Sequence, residues 1–308
     1  MLQSSLHTKD LRLNQIKVPE KMNSETLLPD RHPSADFFVC DVLEAIPKDD
    51  MGSMEHPMFS LSKKPDLRVK TYDHRGNTLT ITPSVLGRAT IYDKDILIYC
   101  ISQIVAKMNA KLSINRKVRL TAYDLLVATN RVTSGRGYSL LEKAFERLVG
   151  TRIKTDIKSG DIRIREGFGL IDSWKIIEKS PNDARMVAVE VTLSEWLFAA
   201  VKAGEVLTID RDYFRLGKPI ERRLYELARK HCGRQRRWRV NLDTLRTKSG
   251  TNSPIRRFRQ LVRELAKSNH LPGYRVVVSK DGVLVTFYNR QSKGRMLQVK
   301  DLLAEMHD

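Results

Sequence analysis

A row of basic and amide side chains, spaced as on one face of a helix, is the part of the sequence best suited to chemistry. In SPIRRFRQLVRELAK, residues Ser253–Lys267, the positions Arg256, Gln260, Arg263 and Lys267 follow one another at intervals of four, three and four. Side chains at that spacing point the same way on a helix. Arg and Lys donate to O6 and N7 of guanine, and Gln pairs with N6 and N7 of adenine. The row therefore predicts readout of base edges in the major groove of DNA.

The segment that carries this row has the marks of a helix. Ser253 can cap the first free amides, and Pro254 suits the first helical position. Apolar residues gather on the opposite side, as on a helix that lies on a core: Ile255, Phe258, Leu261, Val262 and Leu265. Solvation alone would also give a charged outer face, but usually one of mixed sign. Five positive charges against the single Glu264 favour the DNA hypothesis.

The charge of the whole chain favours a polyanionic partner. The 308 residues carry a formal net charge of +19, and the pI is near 9.9. Most of the excess lies between Arg211 and Lys267, where 18 Lys and Arg stand against 5 Asp and Glu. Basic residues outside the row suit phosphates, which fix register without specifying sequence. We expect backbone contacts from Arg222, Arg223, Arg229, Lys230, Arg234, Arg236, Arg237, Arg239, Arg257, Arg259 and Lys280.

The cysteines and the apolar stretches point to a cytoplasmic protein. Cys40, Cys100 and Cys232 lie far apart and form no C-x-x-C pair, which argues against a disulfide framework or structural zinc. The longest apolar stretch, Ile96 to Met108, is broken by polar residues and is too short for a membrane span. Met1–Asp10 lacks the apolar core of a signal peptide. We expect no membrane partner.

Catalytic motifs are missing from the sequence. It contains no G-x-x-x-x-G-K-[ST], which disfavours a P-loop ATPase, and no H-x-H pair to hold a metal beside a nicking tyrosine. No Ser-His-Asp or Cys-His grouping can be nominated from spacing. We therefore expect no enzymatic activity, no cofactor and no metal. A rolling-circle nicking enzyme that uses Tyr225 or Tyr288 is kept as an alternative.

The order of the predicted elements indicates an α+β chain of two tandem winged-helix domains. The first copy has a helix from about Asp93 to Lys111, then RLTAYDLLVATN, SLLEKAFERLVG and the hairpin TRIKTDIKSGDIRIREG. The same order recurs as IERRLYELARKHCG, NLDTLRTKSG, the helix that carries the row, and the hairpin YRVVVSKDGVLVTFYNR. In such domains the third helix faces the major groove and the hairpin reaches neighbouring backbone.

The pattern divides the chain into four parts. A length of 308 residues with 41% hydrophobic content suits about two domains with real cores. We expect a mobile N-terminal arm at 1–36, a first winged-helix domain at 37–210 and a second at 211–290, which is the main DNA-reading domain. We expect residues 291–308 to be a tail whose short amphipathic helix docks on the body, or else offers Leu297, Leu302, Leu303 and Met306 to a partner.

The first domain is expected to position DNA rather than to read it. The outward row of its third helix contains Glu142, Lys143 and Glu146, and carboxylates repel phosphate. Basic residues elsewhere in that domain suit the DNA backbone: Arg136, Arg152, Lys154 and Lys158. The rest of its surface is available for protein contacts.

Two long stretches carry a family resemblance. FFVCDVLEAIPKDDMGSMEHPMFSLSKKPD and RDYFRLGKPIERRLYELARKHCG resemble the plasmid replication initiator protein A family of Gram-negative bacteria, and the resemblance runs from about Phe37 to Arg290. The tandem winged-helix plan is similar to that of the iteron-binding initiators. The resemblance implies binding to repeated origin sequences, opening of adjacent AT-rich DNA, and recruitment of the host replicative helicase and initiator proteins. It also implies a homodimer formed through the first domain, which represses its own promoter.

Other functions fit part of the same pattern. A transcriptional regulator or autorepressor without an initiator role would carry the same DNA-binding residues, so the residues alone do not separate it from an initiator. RNA binding fits less well, because the chain lacks the aromatic-rich strand motif of common RNA modules.

Overall fold

The computed structural model describes residues 22–33, 46–74, 77–159, 162–180 and 183–305. By its contacts the chain divides into an N-terminal unit, Pro29–Arg223, and a C-terminal unit that begins at Leu224 and includes the described residues before Pro29. The boundary predicted from the sequence pattern, between 210 and 211, lies before this division.

The two units are built from mixed helices and strands. The described α-helices and β-strands of the N-terminal unit are, in chain order, β1 (Lys48–Asp50), α1 (Met51–Glu55), β2 (Lys70–His74), β3 (Asn77–Thr82), α2 (Lys94–Asn109), β4 (Lys117–Leu120), α3 (Ala122–Ala128), α4 (Gly135–Gly150), β5 (Arg152–Ser159), β6 (Ile162–Gly169), β7 (Ile171–Ser180), β8 (Asp183–Leu193), α5 (Glu195–Lys202) and β9 (Val206–Thr208). The division falls inside α6 (Pro219–His231). The described elements that follow are β10 (Arg237–Asn241), α7 (Leu242–Ser249), α8 (Ile255–Ser268), β11 (Tyr274–Val278), β12 (Leu284–Asn289) and α9 (Ser292–Glu305).

The C-terminal unit has the winged-helix arrangement. Helix α7 begins at Asn241, whose side chain accepts from the backbone N–H of Asp243, and ends at Gly250, whose φ of 68° suits a residue without Cβ. Helix α8 follows and buries Phe258, Val262 and Leu265. The sheet has the strand order β10-β12-β11, so the strand before α7 pairs with the second strand of the closing hairpin.

The N-terminal unit repeats this arrangement. Helix α3 is capped by Thr121, whose side chain accepts from the backbone N–H of Asp124, and α4 buries Leu141, Ala144 and Phe145. Its sheet has the order β4-β8-β7. Here too the strand before the second helix of the motif pairs with the last strand of a hairpin. Both units are therefore winged helices.

The hairpin predicted as the wing of the first domain is the wrong one. TRIKTDIKSGDIRIREG forms β5 and β6, which belong to a separate sheet of order β2-β3-β5-β6. The wing is the next hairpin, β7 and β8, and it supplies the fully buried side chains Val189, Val191 and Leu193. Alternation alone identifies both hairpins as strands, but it does not say which one pairs with β4.

Both ends of the described chain are part of the C-terminal unit. Within the predicted N-terminal arm, the backbone N–H of Asn23 donates to the carbonyl of Asn269 at 3.0 Å. Helix α9 lies in the predicted tail and packs against β12. Across the described ranges, helices long and apolar enough to cross a membrane are absent. The remaining arm residues, 1–21 and 34–36, lie outside the described residues.

Candidate nucleic-acid interface

Helix α8 presents the predicted row to solvent. Arg256, Gln260, Arg263 and Lys267 are all exposed, opposite the side that the helix buries. The four line one shallow concavity on the surface, together with Arg259 and Glu264. The structure therefore brings together the residues that the spacing predicted, and their contact with base edges stays a prediction.

Hydrogen bonds along α8 hold the amide of Gln260 in one orientation. Arg257 Nη1 donates to Gln260 Oε1 at 2.8 Å, and Gln260 Nε2 donates to Glu264 Oε1 at 2.9 Å. The amide keeps one further acceptor position on Oε1 and one further donor on Nε2, which is the pair that a contact with adenine requires. Glu264 was not part of the predicted row, although its place four residues after Gln260 puts it on the same face. Its carboxylate could accept a hydrogen bond from N4 of cytosine.

The turn of the β11–β12 hairpin touches the same helix. Gly282 adopts a φ of 73°, and a Cβ built there would lie 2.8 Å from Arg263 Nη2 and 3.5 Å from Arg259 Cδ. The turn is fixed by Asp281, whose Oδ1 accepts from Ser279 Oγ and from the backbone N–H of Val283. These hydrogen bonds, that from Ser279 first, hold the pKa of Asp281 below its usual value. The wing therefore packs on the two arginines and restricts their positions.

Two of the predicted phosphate contacts are buried, and the prediction for them is wrong. Arg222 is 3% exposed and lies in the core of the N-terminal unit. Its Nη1 donates to Asp95 Oδ1 at 2.6 Å, and Nε and Nη2 donate to the carbonyls of Leu216 and Phe214 at 3.1 and 3.0 Å. The guanidinium also stacks over the ring of Tyr92, 4.6 Å from its centroid. Arg222 thus has a structural role and no open face for phosphate.

Arg223 is the second buried arginine, also 3% exposed. Its Nη1 donates to the carbonyls of Ser53 and Met54, both at 2.9 Å, and its Nη2 donates to that of Glu55 at 3.1 Å. These carbonyls belong to the end of α1, where the helix itself provides no donors. The sequence pattern missed this use because a basic pair on a helix looks the same whether it faces phosphate or orphan carbonyls.

Arg237 and Arg239 are occupied by an internal carboxylate. Arg237 Nη1 donates to Oδ2 of Asp301, and Arg239 Nη2 lies 3.2 Å from the same atom. Both arginines were predicted as phosphate contacts, and in this structure their side chains are paired with Asp301. Trp238, between them in sequence, stacks on His231 and Phe287 with centroids 4.6 and 5.3 Å apart. Trp238 is half-buried, and these ring contacts pack it within the C-terminal unit.

The other predicted backbone contacts of the C-terminal unit differ in exposure. Arg234, Arg236, Arg257 and Lys280 are exposed, whereas Arg229, Lys230 and Arg259 are half-buried. Arg259 is covered by the wing turn, as described above, and Lys280 lies in that turn. Nothing in these positions opposes a role at phosphate, which stays a prediction.

The predicted contacts of the N-terminal unit lie on α4 and on the sheet of order β2-β3-β5-β6. Arg136 is exposed in the first turn of α4. Arg152 and Lys154 are exposed on β5 and line a shallow depression with Arg165 of β6, a residue that the sequence analysis did not select. Lys158 lies on the same strand, but its side chain is outside the described part.

A carboxylate interrupts this basic face. Asp156 Oδ2 lies 2.6 Å from Arg163 Nη2 and 3.3 Å from Arg165 Nε. The hydrogen bond from Arg163 is the largest cause that lowers the pKa of Asp156 to about 2. Arg163 and Arg165 are thus partly neutralised, whereas Arg152 and Lys154 have no carboxylate in that depression except Glu166.

The arrangement defines a tandem winged-helix protein with a basic, exposed third helix in its C-terminal unit. Residues 48–276 match the family model of Replication initiator protein A. The chain is also 38% identical over 258 residues to a putative replication protein of Wigglesworthia glossinidia brevipalpis, covering 83% of this chain and 94% of the relative. The chain belongs to the replication initiator protein A family, as its sequence resemblance indicated.

Solved structures support the fold. A crystal structure of RctB domains 2–3 is similar with a TM-score of 0.54 and 13% identity, covering 80% of this chain and 99% of that one. A selenomethionine derivative of RctB domains 2 and 3 gives a TM-score of 0.57 at 15% identity, covering 78% and 98%. The predicted α+β architecture of two winged-helix domains is confirmed. At 13% and 15% identity, the similarity supports the fold but assigns no role to any residue.

Proposed function

We propose that this protein binds repeated double-stranded DNA sequences at a plasmid origin and initiates replication there. The observation that carries the proposal is the exposed row of α8, Arg256, Gln260, Arg263 and Lys267, in a member of an initiator family. A winged helix places its third helix in the major groove, where these side chain types distinguish base pairs. Plasmid DNA is replicated in the cytoplasm, so the proposal locates the protein there.

A footprint on the DNA that flanks the gene of this protein, repeated at several salt concentrations, tests the proposal. Protection of regularly spaced direct repeats that persists when salt has removed non-specific binding is the expected result. Protection of a single inverted repeat at the promoter would instead favour a dimeric regulator without an initiator role. Diffuse protection that disappears with salt would contradict sequence-specific binding.

In this proposal the two units have different roles in DNA binding. The C-terminal unit reads sequence, and the N-terminal unit contacts the backbone through Arg136, Arg152, Lys154 and Lys158. The outward row of α4 has only Lys143 between two carboxylates, Glu142 and Glu146, so it lacks the set of donors with which α8 would contact bases. The N-terminal unit would also pair two copies of the protein when it represses its own promoter. The concentration dependence of its mass in solution, with and without repeat DNA, tests the pairing.

Opening of the origin and recruitment of the host replicative helicase and initiator proteins complete the proposal. Both rest on membership of the family rather than on a surface of this chain. Permanganate reactivity of thymines in AT-rich DNA beside the repeats should appear only when the protein is bound. Purified host helicase should be retained by the protein on immobilised origin DNA. If neither thymine reactivity nor helicase retention is observed, the role of the protein is restricted to origin binding; if one is absent, that activity is removed from the proposal.

We further propose that the protein is not an enzyme and needs no cofactor or metal. The alternative of a nicking enzyme requires an accessible tyrosine, and both candidates, Tyr225 and Tyr288, are at most 4% exposed. Burial, followed by the hydrogen bond to Asp301, raises the pKa of Tyr288 to about 12, which disfavours a phenolate nucleophile. Nicking of supercoiled plasmid with Mg²⁺ or Mn²⁺ that a single Tyr-to-Phe change abolishes would overturn this proposal.

A further inference from the structure

An oxyanion site on the sheet of the C-terminal unit is filled by the chain itself. Oδ2 of Asp301 accepts from Tyr288 Oη at 2.6 Å, from Arg239 Nη2 at 3.2 Å and from Arg237 Nη1. Arg237 and Arg239 are alternate residues of β10, and Tyr288 is the register partner of Arg237 on β12. The three donors therefore lie on one face of the sheet.

The donor set suits phosphate. Two guanidinium groups and a phenol donate to one anionic oxygen at this site. The same groups donate to phosphate oxygens in complexes with nucleic acids. The side chain of Arg239 is 46% exposed and that of Arg237 is 31% exposed, so the arginine side of the site opens to solvent, whereas Tyr288 is buried in the free protein. The exposed Arg234 and Arg236 directly precede it in the chain. A run of positively charged residues favours a polyanion as the external ligand.

The carboxylate that fills this site belongs to Asp301 of helix α9. Near its start, a Cβ on Gly294 would lie 2.1 Å from the carbonyl oxygen of Asn289 and 2.8 Å from that of Arg236, so the helix approaches the sheet backbone closely at that point. Asp301 follows two turns later, and its hydrogen bonds attach the second half of the helix to strands β10 and β12 of the same sheet. Burial raises the pKa of Asp301, but hydrogen bonds from Arg237 and Tyr288 lower it below its usual value. The carboxylate is therefore ionised at neutral pH.

We propose that Arg237, Arg239 and Tyr288 form a backbone-phosphate site that Asp301 occupies in the free protein, and that duplex DNA displaces α9 from it. The proposal rests on the DNA binding proposed above. It assigns α9 the role of an internal competitor, because a phosphate and the Asp301 carboxylate need the same three donors. DNA binding by the free protein is thereby weakened, and non-specific binding more so than binding at a repeat, where base contacts add affinity.

Removing the charge of Asp301 in the full chain tests the proposal. Asp301→Asn should bind a labelled duplex of unrelated sequence about three- to tenfold more tightly at 0.1 M salt, with a salt slope steeper by about one, as expected for one added phosphate contact. Adding Arg237→Gln and Arg239→Gln to Asp301→Asn should remove this gain. Glu205→Gln removes one charge from an exposed position in the N-terminal unit, and should change affinity less than twofold.

Amide hydrogen exchange of the unaltered protein tests the displacement without any substitution. Saturating duplex should accelerate exchange in residues 295–305. Unchanged or slower exchange there would overturn the displacement of α9, as would an Asp301→Asn protein that binds duplex no more tightly than the original protein.

Two further outcomes separate this inference from the proposed function. If the unaltered protein binds the duplex while Asp301→Asn gains nothing, the competitor role fails and DNA binding stands. If no duplex binds to either protein, the proposed function itself fails. A gain by Asp301→Asn for poly-L-glutamate but not for duplex would assign the site to an acidic protein and overturn the phosphate assignment.

Discussion

Arg263 is the residue at which α8 and the wing turn meet. Because its guanidinium lies against the turn at Gly282, it has less freedom than an arginine on an open helix face. A restricted guanidinium loses less entropy when it binds a guanine, which favours base readout.

Arg263→Ala should therefore cost about 1–3 kcal/mol on the correct repeat and relax the preference at one base pair. Dissociation constants on a set of single-base variants of the repeat measure both effects. The exposed Arg234 is the matched control, since Arg234→Ala should weaken binding to all sequences alike. An equal loss by Arg263→Ala on random DNA would make Arg263 a phosphate contact.

Glu264 is expected to act on specificity rather than on affinity. Its carboxylate repels phosphate and orients the Gln260 amide, so Glu264→Gln should tighten binding to random duplex while changing base preference. We expect the ratio of specific to non-specific affinity to fall by about tenfold, which corresponds to about 1.4 kcal/mol. Glu142→Gln makes the same change on α4 and should affect all sequences alike. Unaltered preference in Glu264→Gln would leave Glu264 a surface residue.

Arg222 illustrates a basic residue that stabilises the fold. Arg222→Ala should lower the unfolding free energy by about 3 kcal/mol, because one oxygen of Asp95 and the carbonyls of Phe214 and Leu216 lose their donor. Urea denaturation monitored for the N-terminal unit measures the loss. Arg211→Ala, at an exposed position, should change stability by less than about 0.5 kcal/mol. A stable Arg222→Ala protein with weakened DNA binding would restore the original phosphate prediction.

At the scale of elements, the wing turn couples β11 and β12 to α8. Gly282→Ala combines an unfavourable positive φ with a Cβ 2.8 Å from Arg263 Nη2, so Arg263 must move. We expect repeat binding to weaken more than random-duplex binding. Gly273→Ala is the control, because its φ is 68° but the described atoms leave open space around its Cβ. Both variants should lose about 1 kcal/mol of stability, and equal binding by the two would contradict the coupling.

The elements also mark the limit of what the sequence predicts. The apolar stripe and the spacing of α8 identify its buried and exposed faces, because both follow from the period of one helix. The choice between two consecutive hairpins as the wing depends on which strand pairs with β4, and strand pairing is not contained in either hairpin's own alternation. Glycine at 282 signals a turn, but its contact with Arg263 requires the packed structure.

For the whole molecule, the excess of positive charge overstates the surface available to DNA. The basic segment from Arg211 to Lys267 includes Arg222 and Arg223, which are buried, and Arg237 and Arg239, which are paired with Asp301. A net charge of +19 favours a polyanionic partner on physical grounds. It does not identify the contacting residues, because charge counts do not record which groups burial and internal carboxylates have already neutralised.

The N-terminal unit should contribute to binding through charge alone, and the salt dependence of the full chain tests this role. Replacing both Arg152 and Lys154 by Gln should reduce the slope of log K against log salt by about 1.8, since each lost phosphate contact removes about 0.9. Preference among repeat variants should not change. Arg163→Gln is the control, because Arg163 is already paired with Asp156 and should contribute little to the slope. A change of base preference in the double variant would mean that the N-terminal unit reads sequence as well.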